Sequence, residues 1–300
     1  MGYQEFLRKY PNEISTIDYF IKIRYPEGIK CNHCGSEKVY HRNKEYKMFD
    51  CNGCGRGFSV FKNTIFEHTS TDLQKWFYAI HLFLNAKIGI SAKQLQREIG
   101  VTYKCAWRIL KQIKIAMDDK DNDELYEAIV EIDETYIGGK PRKNNNKDDN
   151  KGSGFKRGRG TKKTPVVAVI DREAKKVFAK VALANNKGQR LTGRQLIDIL
   201  NSVCRGKNIV ISDEFHAYDR LKYTDCTRLK IDHPKMFIDG DIHTNTVVSF
   251  WAIVKRAIYG IYHKVSVKYL QQYINEFSFS YNHRDIDYSF DLVLRNAVRI

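Results

Sequence analysis

Two groups of side chains in this 300-residue chain are spaced for metal chemistry. Cys31 and Cys34, then Cys51 and Cys54, form two pairs, with two residues inside each pair and sixteen between the pairs. Two intervening residues let each pair curl into a tight knuckle, and four thiolates complete a closed tetrahedron around Zn²⁺. Gly35 and Gly55 follow the pairs directly, where the backbone has to turn. His33 lies inside the first pair and competes as a ligand, but four cysteines already satisfy the ion. No coordination position is left for a substrate, so the expected zinc is structural. Cys105, Cys204 and Cys226 lack such spacing and read as ordinary buried thiols.

The second group is acidic. Asp133 closes the apolar run Ala128-Ile129-Val130-Glu131-Ile132, and Asp213 closes Asn208-Ile209-Val210-Ile211-Ser212. Aspartates at the ends of two strands suit divalent cations held above a sheet. Their hard oxygens match Mg²⁺, and paired ions clamp the attacking and leaving oxygens of a phosphodiester. Aspartates also follow strands for purely structural reasons, so position alone leaves both readings open.

The elements that have to carry these groups fall into four sections. Residues 1–27 read as a helical segment broken at Pro11, and residues 28–62 as the zinc ribbon. Residues 70–119 read as three helices. Leu73, Trp76, Phe77, Ile80 and Phe83 make the first apolar face, and Ser91 caps a short second helix that Gly100 stops. Thr102 caps the third, with Ala106, Ile109, Leu110 and Ile113 on one side. The last two form the outline of a helix-turn-helix. On the third helix Tyr103, Lys104, Trp107, Arg108 and Lys111 fall away from the apolar face, a mixture suited to a DNA groove or to plain solvation.

Residues 125–290 turn to an α/β pattern: a strand into Asp133, a hairpin of Val166–Ile170 with Val177–Leu183, a helix over Gln189–Val203, and a strand into Asp213. Helices over Asn245–Tyr259 and Ser266–Phe277 follow, and Asp291–Ile300 also reads as helix. This order fits a ribonuclease H-like fold. The stretch 138–164 is a basic, Gly-rich and Asn-rich loop, in which Lys156, Arg157 and Arg159 are candidates to track a phosphate backbone.

Charge agrees with such a partner. Lys and Arg number 51 against 35 Asp and Glu, a net +16, which points to a polyanion such as nucleic acid. A hydrophobic fraction of 42% argues against wholesale disorder. No run of about 18 apolar residues suggests a membrane span, and the first residues lack the apolar core of a signal peptide. A cytoplasmic, nucleoid-associated protein is expected.

Several stretches together resemble a known family. They are Cys31 to Gly35, Cys51 to Phe58, Gly89 to Met117, Glu131-Ile132-Asp133-Glu134-Thr135-Tyr136-Ile137-Gly138-Gly139 and Ser212-Asp213-Glu214. Further on come His243-Thr244-Asn245-Thr246 through Phe250-Trp251, Lys255-Arg256, and Tyr281-Asn282. The chain resembles a DDE-type bacterial insertion-sequence transposase of the zinc-ribbon-carrying branch, to which eukaryotic Merlin transposons are related.

The resemblance implies a DNA transposase that binds element ends and catalyses metal-dependent cleavage and strand transfer. It also implies action as a homodimer on double-stranded DNA. Asp133 and Asp213 would be the first two acids of its triad, binding Mg²⁺. Lys255 would position end DNA, with Arg256 beside it. The third acid is where the sequence departs from the family: its position, 35 residues after Asp213 and seven before Lys255, holds Val248. Asn245 and Asp241 are the candidate substitutes. If neither serves, the expectation becomes a catalytically impaired or domesticated DNA-binding derivative.

Overall fold

In a computed structural model, residues 2–42, 46–118, 129–138, 163–182, 191–204, 206–231, 243–284 and 289–298 are described. They form two compact units, one from the residues up to Asp118 together with 289–298, the other from 129–284. No helix among the described residues is long and apolar enough to cross a membrane.

The first unit begins with helices α1 (Tyr3–Lys9) and α2 (Glu13–Arg24) on either side of Pro11. The Asn12 side chain accepts from the Ser15 N–H at 2.9 Å and starts α2. An antiparallel three-stranded sheet follows, β1 (Val39–His41), β2 (Met48–Cys51) and β3 (Gly57–Ser59), in the order β1-β2-β3. Helices α3 (Leu73–Asn85), α4 (Ala92–Ile99) and α5 (Tyr103–Ala116) come next. The apolar face expected for α3 is buried, Trp76 and Phe77 completely.

Between α4 and α5 the chain turns at Gly100, whose φ of +61° is a left-handed conformation that glycine adopts without strain. Thr102 then accepts from the Cys105 N–H and opens α5. The last helix, Ser289–Ala297, belongs to this unit. Its Phe290 ring meets Phe77 edge-on, and Asp291 accepts from the Tyr19 hydroxyl at 2.7 Å.

The second unit is built on a five-stranded sheet of β4 (Ile129–Ile137), β5 (Thr164–Asp171), β6 (Lys176–Val181), β7 (Ile209–Ser212) and β8 (Thr227–Lys230). Its order is β6-β5-β4-β7-β8. The first three strands pair antiparallel, and β4, β7 and β8 run parallel. Alternation along the strands gives the sheet two different faces. Val130, Ile132, Val167 and Val169 pack against helix α6 (Gly193–Asn201) and against Tyr218 and Leu221 of a 3-10 helix, His216–Tyr223. On the other face lie α7 (Asn245–Ala257), continued by a π-helical turn over Ile258–Tyr262, and α8 (Leu270–Asn282).

Strand β6, which ends the sheet order, meets α8 through side chains. Gln271 and Asn282 exchange hydrogen bonds with the backbone of Val181, Ala179 and Val177 at 2.7–3.1 Å, so the strand's outer groups are not left unpaired. The hairpin, the strand into Asp213 and the helices after Asn245 and around Leu270 match the sequence expectation, whereas the strand expected to end at Asp133 runs on to Ile137, because β5 pairs with it beyond that point. Strand β8 and the His216–Tyr223 helix were not anticipated. They are short and polar, and parallel pairing to β7 rather than local pattern holds β8 in place.

Candidate functional site

The four cysteine sulfurs gather in the ribbon. Cys31 Sγ lies 3.7 Å from Cys54 Sγ and Cys34 Sγ 3.6 Å from Cys51 Sγ, with all four within 4.8 Å of one another. Tetrahedral zinc with bonds of about 2.3 Å needs sulfurs about 3.8 Å apart, so the donor set fits that ion. The knuckles are made by the backbone. Gly35 and Gly55 donate to the carbonyls of Cys31 and Cys51 at 2.9 Å, with φ of +72° and +68°. The N–H groups of His33 and Gly53 point at the sulfurs of Cys31 and Cys51 at 3.4 and 3.3 Å. His33 thus contributes its backbone, and the ligand group is the four cysteines. Of the remaining thiols, Cys204 is buried while Cys105 and Cys226 are half-buried.

The acidic group is assembled by sheet register. Parallel pairing sets Ile129 opposite Ile209 and Glu131 opposite Ile211, and two further residues along both chains bring Asp133 beside Asp213. Their carboxylates converge, and Glu134 joins them: one oxygen from each of Asp133, Glu134 and Asp213 lies within 4.8 Å of the others. The Tyr218 hydroxyl donates to Glu134 Oε2 at 2.8 Å. Burial, then the negative charges of Glu134 and Asp213, push the Asp133 carboxyl up to about 8, and a hydrogen bond from the Glu134 backbone N–H, then the Lys255 ammonium, offset part of that. Three hard oxygen donors make a set that fits Mg²⁺ or Mn²⁺.

Helix α7 brings Lys255 to this site, and a buried clamp sets its position. Glu131, fully buried two residues before Asp133, accepts from the Val247 N–H at 2.9 Å and the Thr246 hydroxyl at 2.8 Å. Arg172, just past β5, donates to Glu131 at 2.7 Å and also binds the His243 carbonyl and ring. The carboxylate thereby satisfies the start of α7, where N–H groups otherwise lack partners. Val247, Phe250, Trp251 and Val254 are buried on the inner side of the helix. Val248 is 50% exposed two turns before Lys255, so α7 presents no carboxylate at that position. Asn245, also exposed, is its first residue, while Asp241 lies outside the described residues.

Of the candidate DNA contacts, Tyr103 and Trp107 are exposed on α5, as is Lys104. Lys111 lies over the Trp107 ring at 5.8 Å. Arg108 is turned inward instead. It donates to the Glu67 carbonyl at 2.6 Å and stands over Trp76, which makes it a structural contact of the first unit. Lys255 and Arg256 are exposed, and Lys156, Arg157 and Arg159 lie outside the described residues.

Residues 125–282 match the ISXO2-like transposase domain, and residues 11–57 match the transposase zinc-ribbon domain. The chain belongs to the ISXO2-like transposases. It is a DDE-type insertion-sequence transposase with a zinc ribbon. An uncharacterized protein in transposable element ISH50 of Halobacterium salinarum is 30% identical over 262 residues, covering 83% of this chain and 84% of that one. Among solved structures, a Mos1 transposase paired-end complex with left transposon end aligns over 74% of this chain and 78% of its own. The identity there is 12% and the TM-score 0.30. A Mos1 mariner paired end complex with Mn aligns over 77% and 89%, also at 12% identity, with a TM-score of 0.31.

The ISXO2-like match spans Asp133, Asp213 and Lys255, the residues the sequence singled out. Glu134, whose carboxylate joins the group, was not singled out from the sequence: its one signal is its place next to Asp133, and alternation along a regular strand directs neighbouring side chains to opposite faces.

Proposed function

We propose that this transposase binds the terminal inverted repeats of its element as a homodimer and catalyses metal-dependent cleavage and strand transfer. The observation that carries the reading is the convergence of Asp133 and Asp213 on neighbouring parallel strands with Lys255 held nearby. The β6-β5-β4-β7-β8 order supports a ribonuclease H-like assignment for 125–290. The carboxylates would hold Mg²⁺, which when bound supplies Lewis-acid activation of a phosphodiester and its attacking oxygen. Lys255 offers its ammonium to a phosphate oxygen of the end DNA, and Arg256 extends the cationic strip. The Glu131 clamp fixes the helix from which both reach.

In the first unit, α4, the turn at Gly100 and α5 serve as a helix-turn-helix within 70–119, with Tyr103, Lys104 and Lys111 facing DNA. The basic segment 138–164 adds sequence-blind phosphate contacts. Such a protein works in the cytoplasm, where the nucleoid is its substrate.

The test is cleavage of oligonucleotides bearing the inverted repeats that flank the gene, in Mg²⁺ and in Mn²⁺. The chain as it stands, Val248→Glu and Asp133→Ala are compared. Cleavage by the unaltered chain that Asp133→Ala abolishes is the expected result. Cleavage only after Val248→Glu would identify an impaired, DNA-binding derivative instead, and none in any form would sink the enzymatic reading.

A further inference from the structure

We propose that Glu134 supplies the third carboxylate of the metal centre, in place of the acid that α7 lacks at Val248. The inference rests on the metal-centre reading given above.

The geometry comes from the unequal lengths of β4 and β7. Strand β7 ends at Ser212, level with Ile132 in the parallel register, whereas β4 runs on to Ile137. Beyond that level no β7 residue flanks β4. The longer glutamate side chain can therefore turn around the open strand edge toward Asp213. Its carboxylate lies within 4.8 Å of those of Asp133 and Asp213, although a regular strand would direct it to the opposite face. Tyr218, fully buried, donates to one of its oxygens and fixes its orientation. An outer hydrogen bond of this kind commonly aims a metal-ligating carboxylate.

Electrostatics point the same way. Three carboxylates this close, with Glu134 only 9% exposed, repel one another and are costly to bury. A divalent cation among them reverses that cost.

The test uses the zinc-loaded full chain and compares Glu134→Gln with Asp133→Asn. Mn²⁺ binding is followed by calorimetry and by the shift in melting temperature on adding Mn²⁺. Glutamine keeps an oxygen that can accept from Tyr218, so the fold is retained while a charge is lost. Glu134→Gln is expected to weaken Mn²⁺ binding about tenfold or more. Its metal-free melting temperature should hold or rise as repulsion is relieved, and its Mn²⁺-induced stabilisation should shrink.

A Glu134→Gln chain that melts lower without metal, yet keeps full Mn²⁺ affinity and stabilisation, would overturn the proposal and leave Glu134 a packing residue. If Asp133→Asn also binds Mn²⁺ as the unaltered chain does, the metal-centre reading itself fails. Loss in Asp133→Asn with retention in Glu134→Gln rejects only the third ligand.

Discussion

The four sulfurs come from residues 31–54, whereas the carboxylates come from strands 80 positions apart. The cysteine site is closed by two copies of one local turn. Its glycines, its N–H donors and its ligands all sit within a few residues of each other. The carboxylate site depends on the pairing of β4 with β7 and on a helix clamped through Glu131. A local site stands or falls with its own ligands. A site made by topology is exposed to changes at residues that touch no substrate.

The largest effect should come from breaking the local site. Replacing Cys51 by Ser removes one of four ligands from an ion whose binding free energy in small zinc domains is about 10–16 kcal/mol. The variant should lose zinc to a mild chelator, and the amides of 28–62 should lose protection from hydrogen exchange. The unfolding transition of the second unit should stay where it was. Stoichiometric zinc retained in Cys51→Ser would refute the four-cysteine assignment.

The counterpart in the second unit is Glu131→Ala. Removing the fully buried Glu131 takes the carboxylate from Arg172, whose side chain is 16% exposed and keeps its His243 contacts, and also frees the start of α7, at a cost of about 3 kcal/mol. Denaturant unfolding of the second unit should move by that amount while zinc content is unchanged. A shift under about 1 kcal/mol would mean that the clamp does not hold α7.

These two sites also mark how far sequence alone carries. The cysteine spacing implied ligands, ion and turn geometry together, because all of that information is local. For the carboxylates, Asp213 was legible as following a strand, whereas Asp133, read as a strand end, lies inside β4; neither the pairing of their strands nor the approach of Glu134 was legible. Glu131 appeared only as a polar interruption of an apolar run, since its partners lie 41 and about 115 residues away. The C-terminal helix was legible as a helix, while its packing through Phe290 and Asp291 in the first unit was not. Periodicity reports which face is apolar and is silent on what covers it.

The same distinction separates two cations on α5 that a helical wheel treats alike. Arg108→Ala should destabilise the first unit by about 1.5 kcal/mol, through loss of a charged hydrogen bond to the Glu67 carbonyl and of the contact over Trp76. Chemical denaturation followed by helix content would register it. Lys104, exposed near the N-terminus of the same helix, has no such duty. Lys104→Ala should leave stability within about 0.5 kcal/mol and weaken binding to end DNA.

If that weakening is a lost phosphate contact, the slope of log affinity against log salt falls by about one and random DNA loses affinity equally. If it is a lost base contact, only the end sequence loses affinity and the slope is kept. An unchanged affinity for both DNAs would remove α5 from the interface. The first unit's charge would then have to act through other residues, with the exposed strip at Lys255 and Arg256 left as the DNA-facing surface of the second.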